Sequence, residues 1–251
     1  MGLDIERVRR SFPQRSVHFF ATLGSTMAEG SRLAQAGCVA GTTVVAGEQT
    51  AGQGRYGRAW HSEKDAGLYV SIVLRPVLPP EALPALTLAL GLATAEAIAR
   101  VTGLGCDLRW PNDVMLDGAK VAGILLQFQD SFFVAGIGIN VNHSVFPAGI
   151  AAEATSLRLV TNREHSREQL LIALLPAVDS FVTMLAEGGR QVILDAFSRR
   201  SSYARDKRVR VDQGAKKLLG TTAGLDESGF LRVRGDDGTE NVILSGGVRP
   251  A

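Results

Sequence analysis

Apolar and polar positions change period several times along the chain, and each change marks an element. Residues 17–21 read as a short strand. Ser25-Thr26-Met27-Ala28-Glu29 opens a helix, with Thr26 and Glu29 at capping-box spacing. β-Branched runs predict strands at 42–46 and 68–74. Residues 81–101 carry the apolar face of a long helix. Residues 106–110 and 114–116 are short strands on either side of Pro111-Asn112-Asp113. Residues 121–128 and 132–141 predict a hairpin turning at Gln129-Asp130-Ser131. From about residue 166 to 201 the period is helical, with Gly188-Gly189 as the break between two helices.

Then the period shortens. Residues 209–211, 217–223, 230–233 and 241–244 are brief apolar runs between Gly/Asp turns, the pattern of a small β-barrel. The expected class is therefore α+β: a mixed-sheet domain over residues 1–203 and a small barrel over residues 204–251. A module so small is expected to pack on the main domain.

Composition narrows the function classes. With 45% hydrophobic and 21% charged residues among 251, the chain is ordinary globular protein. A net charge of +2 supplies no general field for polyanions, so no nucleic-acid partner is implied. Cys38 and Cys106 show neither metal spacing nor a disulfide framework, which suits a reducing compartment. The start, MGLDIERVRRS, lacks an apolar signal core, and Glu6 breaks the myristoylation pattern. The most apolar stretch, LPALTLALGLATAEAIA, contains Pro84, Gly91 and Glu96 and reads as too short to span a bilayer. The expectation is a cytoplasmic protein with no membrane partner.

The stretch GQGRYGRAW satisfies G-x-G-x-x-G at Gly52, Gly54 and Gly57. A dinucleotide fingerprint would open a helix after the last glycine and meet an acidic residue about twenty positions on. Here a second strand follows instead, and the loop carries Arg55, Arg58 and Trp60. The Rossmann reading fails.

Four polar-glycine clusters remain: Gly24-Ser25-Thr26, the run from Glu48 to Trp60, Arg109-Trp110-Pro111-Asn112-Asp113 with Lys120, and Gly136-Ile137-Gly138-Ile139-Asn140-Val141-Asn142. None is a nucleophile elbow, a Walker A loop or a metal site by side-chain motif. Arg55 and Arg58 offer charged forks for phosphate or carboxylate, and Lys120 adds a point charge. Ser25, Thr26 and Gln49 suit either local capping or a neutral polar head group. Asn140 sits in an apolar strand, where a buried amide must be satisfied. Together the set suits a ligand with an apolar arm, a neutral head and a phosphate.

The motifs GSTM, EQTAGQGRYGRAW, RWPNDVMLDGAKVAGIL and GIGINVN, in that order, resemble the biotin–protein ligases. The likeness covers about residues 17–160 well, and GTTAGLDESGFLRVR more loosely resembles that family's SH3-like cap. It implies that biotin and MgATP form biotinyl-5′-adenylate, which a lysine of a biotin carboxyl carrier protein then attacks. By motif position, Ser25, Thr26 and Gln49 would hold the ureido end of biotin with Met27 beside them. Arg55 would meet the phosphate within a loop from Gly52 to Arg58 that closes over the adenylate, with Gln53 and Gly54 facing biotin. Lys120 would contact the carboxyl and α-phosphate oxygens, and Gly123, Gly136 and Gly138 would line the valeryl arm. Asn112 and Asp113 would lie near the metal-phosphate or the incoming lysine, and Trp60 and Asn140 on the nucleotide side.

Two departures stand out: Gln53 occupies a position where the family usually has arginine, and Arg109 one where lysine is usual. Only about sixteen residues precede the first strand, which leaves no room for the DNA-binding domain of the family's repressor members. The alternatives are a lipoate–protein ligase and a catalytically weakened biotin-binding module. A homodimer stays open, because family members differ in oligomeric state.

Overall fold

The computed structural model describes residues 2–129, 131–213 and 216–251. Its elements run α1 (Ile5–Ser11), β1 (Val17–Phe20), α2 (Thr26–Gln35), β2 (Thr43–Ala46), β3 (Gly67–Leu74), α3 (Leu83–Thr102), β4 (Asp107–Arg109), β5 (Asp113–Leu116), β6 (Ala119–Gln129) and β7 (Phe132–Asn140). They continue with α4 (Leu157–Thr161), α5 (Arg167–Gly188), α6 (Arg190–Arg200), β8 (Arg205–Gln213), β9 (Lys216–Leu225), β10 (Leu231–Gly235), β11 (Glu240–Ile243) and β12 (Gly247–Pro250). The turn expected at Gln129-Asp130-Ser131 falls on Asp130, outside the described residues.

Seven strands form a mixed sheet in the order β1-β2-β3-β7-β6-β5-β4. β1 pairs parallel to β2, and the other neighbours pair antiparallel. The glycine-rich loop joins β2 to its antiparallel neighbour β3, as the strand-like flanks require. Along β3 and β7 alternate side chains face opposite ways. Leu68, Val70, Ile72, Ala135, Ile137 and Ile139 enter the main core, which α3 and α5 cover. The opposite face meets α2 through Met27, Val73 and Val134. On that face the register sets Gly138 between Tyr69 and Gly123, and Gly136 between Ser71 and Leu125. The result is a bare strip of sheet, with no Cβ on either glycine of β7 to fill the space above it.

The helix break is at Gly189, whose φ of +75° an L side chain rarely adopts. α3 overturns one expectation: with its preceding turn it runs Pro80–Thr102, 23 residues, long and apolar enough by length and composition to cross a membrane. Its apolar character is spent on the core, since 72% of the most apolar window is buried. The capping box is also corrected. Ser25 is the N-cap of α2, Glu29 pairs with Arg32, and Thr26 bonds elsewhere.

The C-terminal strands make a five-stranded antiparallel sheet in the order β11-β10-β9-β8-β12. Its Val209, Val211, Leu231, Val233 and Ile243 belong to the same hydrophobic core as the main sheet. Trp110, a core side chain 4% exposed, donates Nε1–H to the Gly229 carbonyl at 2.9 Å. Arg249 pairs with Glu153 at 2.9 Å. The sequence pattern did not announce α1, α4 or β12. The last two are short, and Pro250 removes a donor from an edge strand.

Candidate active site

The strip of bare sheet is the floor of a narrow cavity of about 50 Å³, lined by Thr26, Met27, Gln49, Gly123, Gly136 and Gly138 among others. At its α2 end the polar groups are already ordered. Thr26 donates both its backbone N–H (2.8 Å) and its hydroxyl (3.0 Å) to Gln49 Oε1. Ser71 Oγ donates to Thr26 Oγ1 at 2.8 Å, and Gln49 Nε2 donates to Ser62 Oγ at 3.1 Å. Ser25 is 6% exposed, yet its hydroxyl has no partner among the described residues. A buried hydroxyl without a partner costs stability, so it is an available group for a ligand.

Glycine is required on the floor by close approach. A Cβ on Gly136 would stand 2.5 Å from Met27 Sδ, and one on Gly138 would stand 2.5 Å from Trp60 Cε2. A Cβ on Gly123 would meet both Trp60 Cζ3 and Lys120 Cε at 2.8 Å. Trp60 therefore lies over the Gly123–Gly138 pair, with Lys120 Nζ 5.2 Å from its ring centre. Its own Nε1–H is buried without a partner among the described residues.

The charged groups come next along the floor. Lys120 Nζ lies 2.5 Å from Asp113 Oδ1, and Arg109 Nη2 lies 2.8 Å from Asp113 Oδ2. Burial alone would raise the Asp113 carboxyl, but Lys120 and Arg109 together hold it below the usual carboxylate value. Both its oxygens are thus engaged and it stays ionised. Asn112 follows a cis Trp110-Pro111 bond and donates Nδ2–H to the Ile124 carbonyl at 3.0 Å. Its Oδ1 accepts from Arg55 Nη1 at 2.9 Å, while Arg55 Nη2 reaches the Tyr56 hydroxyl at 2.9 Å. The loop tip turns sharply at Tyr56 and Gly57, both with positive φ.

Past Lys120 the floor opens into a larger cavity of about 380 Å³. Arg55 and Arg58 line it from the glycine-rich loop, Asp113, Lys120 and Asn140 from the main sheet, and Gly246 to Arg249 close it from the C-terminal side. Asn140 donates Nδ2–H to the Thr155 carbonyl at 3.0 Å, tying the 153–155 segment to the sheet. Lys120 pairs with the same segment, its N–H bonded to the Glu153 carbonyl at 2.8 Å and its own carbonyl accepting from Thr155 at 2.9 Å. The lysine that borders both cavities is held through backbone and side chain alike.

Comparison with known proteins agrees with this geometry. The model of the Biotin/lipoate A/B protein ligase family matches residues 21–143, and that of the Biotin protein ligase C terminal domain matches residues 206–248. The biotin–[acetyl-CoA-carboxylase] ligase of Mycobacterium tuberculosis is 32% identical over 239 residues, 93% of this chain and 88% of that protein. The chain belongs to the biotin protein ligase family.

Other biotin protein ligases extend the match. The bifunctional ligase/repressor BirA of Bacillus subtilis is 31% identical over 228 residues, 88% of this chain and 70% of that protein. The biotin protein ligase of Aquifex aeolicus, solved in complex with biotin and ATP, superposes with a TM-score of 0.83 at 31% identity, covering 94% of this chain and 99% of that one. The Leishmania major ligase with biotinyl-5-AMP gives a TM-score of 0.64 at 26% identity, over 92% and 99% of the two chains.

Within this ligase fold the residues singled out by motif do not all reach a cavity. Arg55, Gly54, Trp60, Asn112 and Lys120 border both. Gln53 borders only the narrow one; Arg58, Asp113 and Asn140 border only the larger. Ser25 and Gly52 line neither; Ser25 is buried, and the close neighbours of Gly52 are the Trp60 carbonyl and Ser62 Oγ. Sequence reasoning missed Tyr69 at the narrow cavity, and Phe146, Ile150, Glu153 and Arg249 around the larger one. They lie outside the four polar-glycine clusters, and the fold brings them to the site.

Proposed function

We propose that the chain activates biotin with ATP to biotinyl-5′-AMP and then transfers the biotinyl group to a lysine of a biotin carboxyl carrier protein. The observation that carries this reading is that Lys120 borders both a narrow, largely uncharged cavity and a wider one lined by arginines. A ligand with a neutral head, an apolar arm and a carboxylate would fill the first and present that carboxylate at Lys120.

In the first step a biotin carboxylate oxygen attacks the α-phosphorus of ATP, and the bond to the bridging oxygen breaks to release pyrophosphate. Ser25, Thr26 and Gln49 hold the head group, and Met27 with Gly136 and Gly138 grips the arm. Lys120 neutralises the charge that builds on the reacting oxygens, and Arg55 swings from Asn112 onto the α-phosphate. Asp113 is a positioning residue, because its oxygens hold Lys120 and Arg109. Magnesium bound with ATP would screen its phosphates; Glu153, the other carboxylate on the wall, and Asn112 would hold it.

In the second step the carrier lysine's amine attacks the acyl carbon, AMP leaves with the bonding pair, and the amine loses a proton. The 52–58 loop closes over the intermediate and keeps water away. The C-terminal unit, residues 204–251, serves as a wall of the nucleotide site through Gly246 to Arg249.

The test is pyrophosphate release with MgATP and biotin, with lipoate in parallel and a biotin carrier domain added second. Release with biotin followed by a mass gain on one carrier lysine supports the proposal. Release with lipoate alone, or biotin binding without release, overturns it.

A further inference from the structure

We propose that His61, Glu63 and His143 form a binding site for a divalent transition metal, with Zn²⁺ the ion that their donors suit best. His61 and Glu63 follow the glycine loop and His143 follows β7, so the three meet only through folding. One donor atom from each lies within 4.8 Å of the other two. The His61 and His143 rings are 5.8 Å apart, and His143 stacks on Phe146 at 5.1 Å.

The tautomer of His143 follows from its neighbours. The Tyr69 phenol has one hydrogen to donate. That hydrogen goes to the Glu63 carbonyl at 2.9 Å. The Tyr69 oxygen therefore accepts from His143 Nε2, 3.2 Å away, and Nε2 carries the N–H. With the N–H on Nε2, the ring offers its lone pair at Nδ1. Nδ1 is buried with no partner among the described residues, in a side chain that is 0% exposed. A ring nitrogen fixed as acceptor, its other nitrogen held by a hydroxyl, is the arrangement metal-bound histidines use.

The donor set selects the ion. Two imidazoles and a carboxylate suit zinc and its neighbours, whereas Mg²⁺ prefers oxygen ligands and retained water. Around a tetrahedral zinc, adjacent donors stand about 3.3 Å apart, so the trio must contract by about 1.5 Å. His61 and Glu63 can supply the movement, their side chains being 34% and 46% exposed. His61 and Phe146 both line the larger cavity. A metal here would pin the segment after the glycine loop to the segment after β7, on the wall of the proposed nucleotide site.

Equilibrium dialysis of metal-stripped full-length protein against Zn²⁺ alone, with no nucleotide or biotin, tests the site. One Zn²⁺ per chain at micromolar or tighter affinity is expected, weakened at least tenfold in His61→Ala and in Glu63→Gln. Both residues are partly exposed, so these variants keep the fold that His143→Ala endangers. Co²⁺ in place of zinc should give the intense visible bands of a four- or five-coordinate ion. Equal Zn²⁺ binding by wild type and His61→Ala, or a Co²⁺ spectrum no stronger than that of the hydrated ion, overturns the proposal.

Discussion

The indole of Trp60 rests on the bare backbone of Gly138, where a Cβ would stand 2.5 Å from Trp60 Cε2. The same ring covers Gly123, the cross-strand partner of Gly138. Trp60 thus borders both the narrow cavity and the wider one, and its position depends on two missing methyl groups. Gly138→Ala should shift the indole, raise KM for biotin at least tenfold and cost about 1–3 kcal/mol of stability. Steady-state kinetics together with a denaturant melt check both. An unchanged KM would mean that Trp60 yields freely and does not define the site.

Lys120→Ala removes the side-chain cation that touches Asp113 Oδ1. Arg109 still neutralises that carboxylate, so the fold should survive. Biotin-dependent pyrophosphate release should fall at least about a hundredfold. Near-normal release from a folded variant would remove Lys120 from the chemistry.

Arg55 is held by one hydrogen bond to Asn112 and one to Tyr56, both easily exchanged for a phosphate. Arg55→Ala should therefore leave folding intact and loosen the hold on biotinyl-5′-AMP. The measurement is labelling of bystander proteins in a mixture with the carrier domain. Labelling confined to the carrier, with wild-type retention of the adenylate, would contradict the assignment.

Asp113 supplies a pH dependence with a definite sign. Its folded-state value lies below the ordinary 3.8, so the stability it contributes is fully present above that value and is lost as pH falls through the lower folded value. Asp113→Asn leaves Lys120 and Arg109 without their carboxylate and should cost about 3–5 kcal/mol near neutrality. Denaturant melts of both proteins should show the gap closing only below about pH 3.8. A gap that is constant with pH would mean that the cost comes from packing alone.

Much of the site was legible because its motifs are local. The run from Gln49 to Trp60 had to join two strands, since no helical period follows Gly57, and it does join β2 to β3. Thr26 looked like a capping residue by spacing. Its hydroxyl instead faces Gln49, 23 positions away, because the N-cap of α2 falls on Ser25 and the β2–β3 connection passes beside it. Asp113 read as a residue near metal or substrate; the fold places two cations on it, which no spacing rule forecasts.

By itself the sequence determined the periods: where the strands and long helices run, where Gly189 breaks the last two helices, and that a β-rich unit follows them. Those properties depend on neighbours within a few residues, so they can be read along the chain. Only the tertiary structure decided which face of the sheet stays bare, that Trp60 covers Gly138, and that Glu153 and Arg249 meet at the larger cavity. It also brought His143 within reach of His61 and Glu63. Cavities and charge clusters arise where distant segments converge, and their energies depend on separations through space.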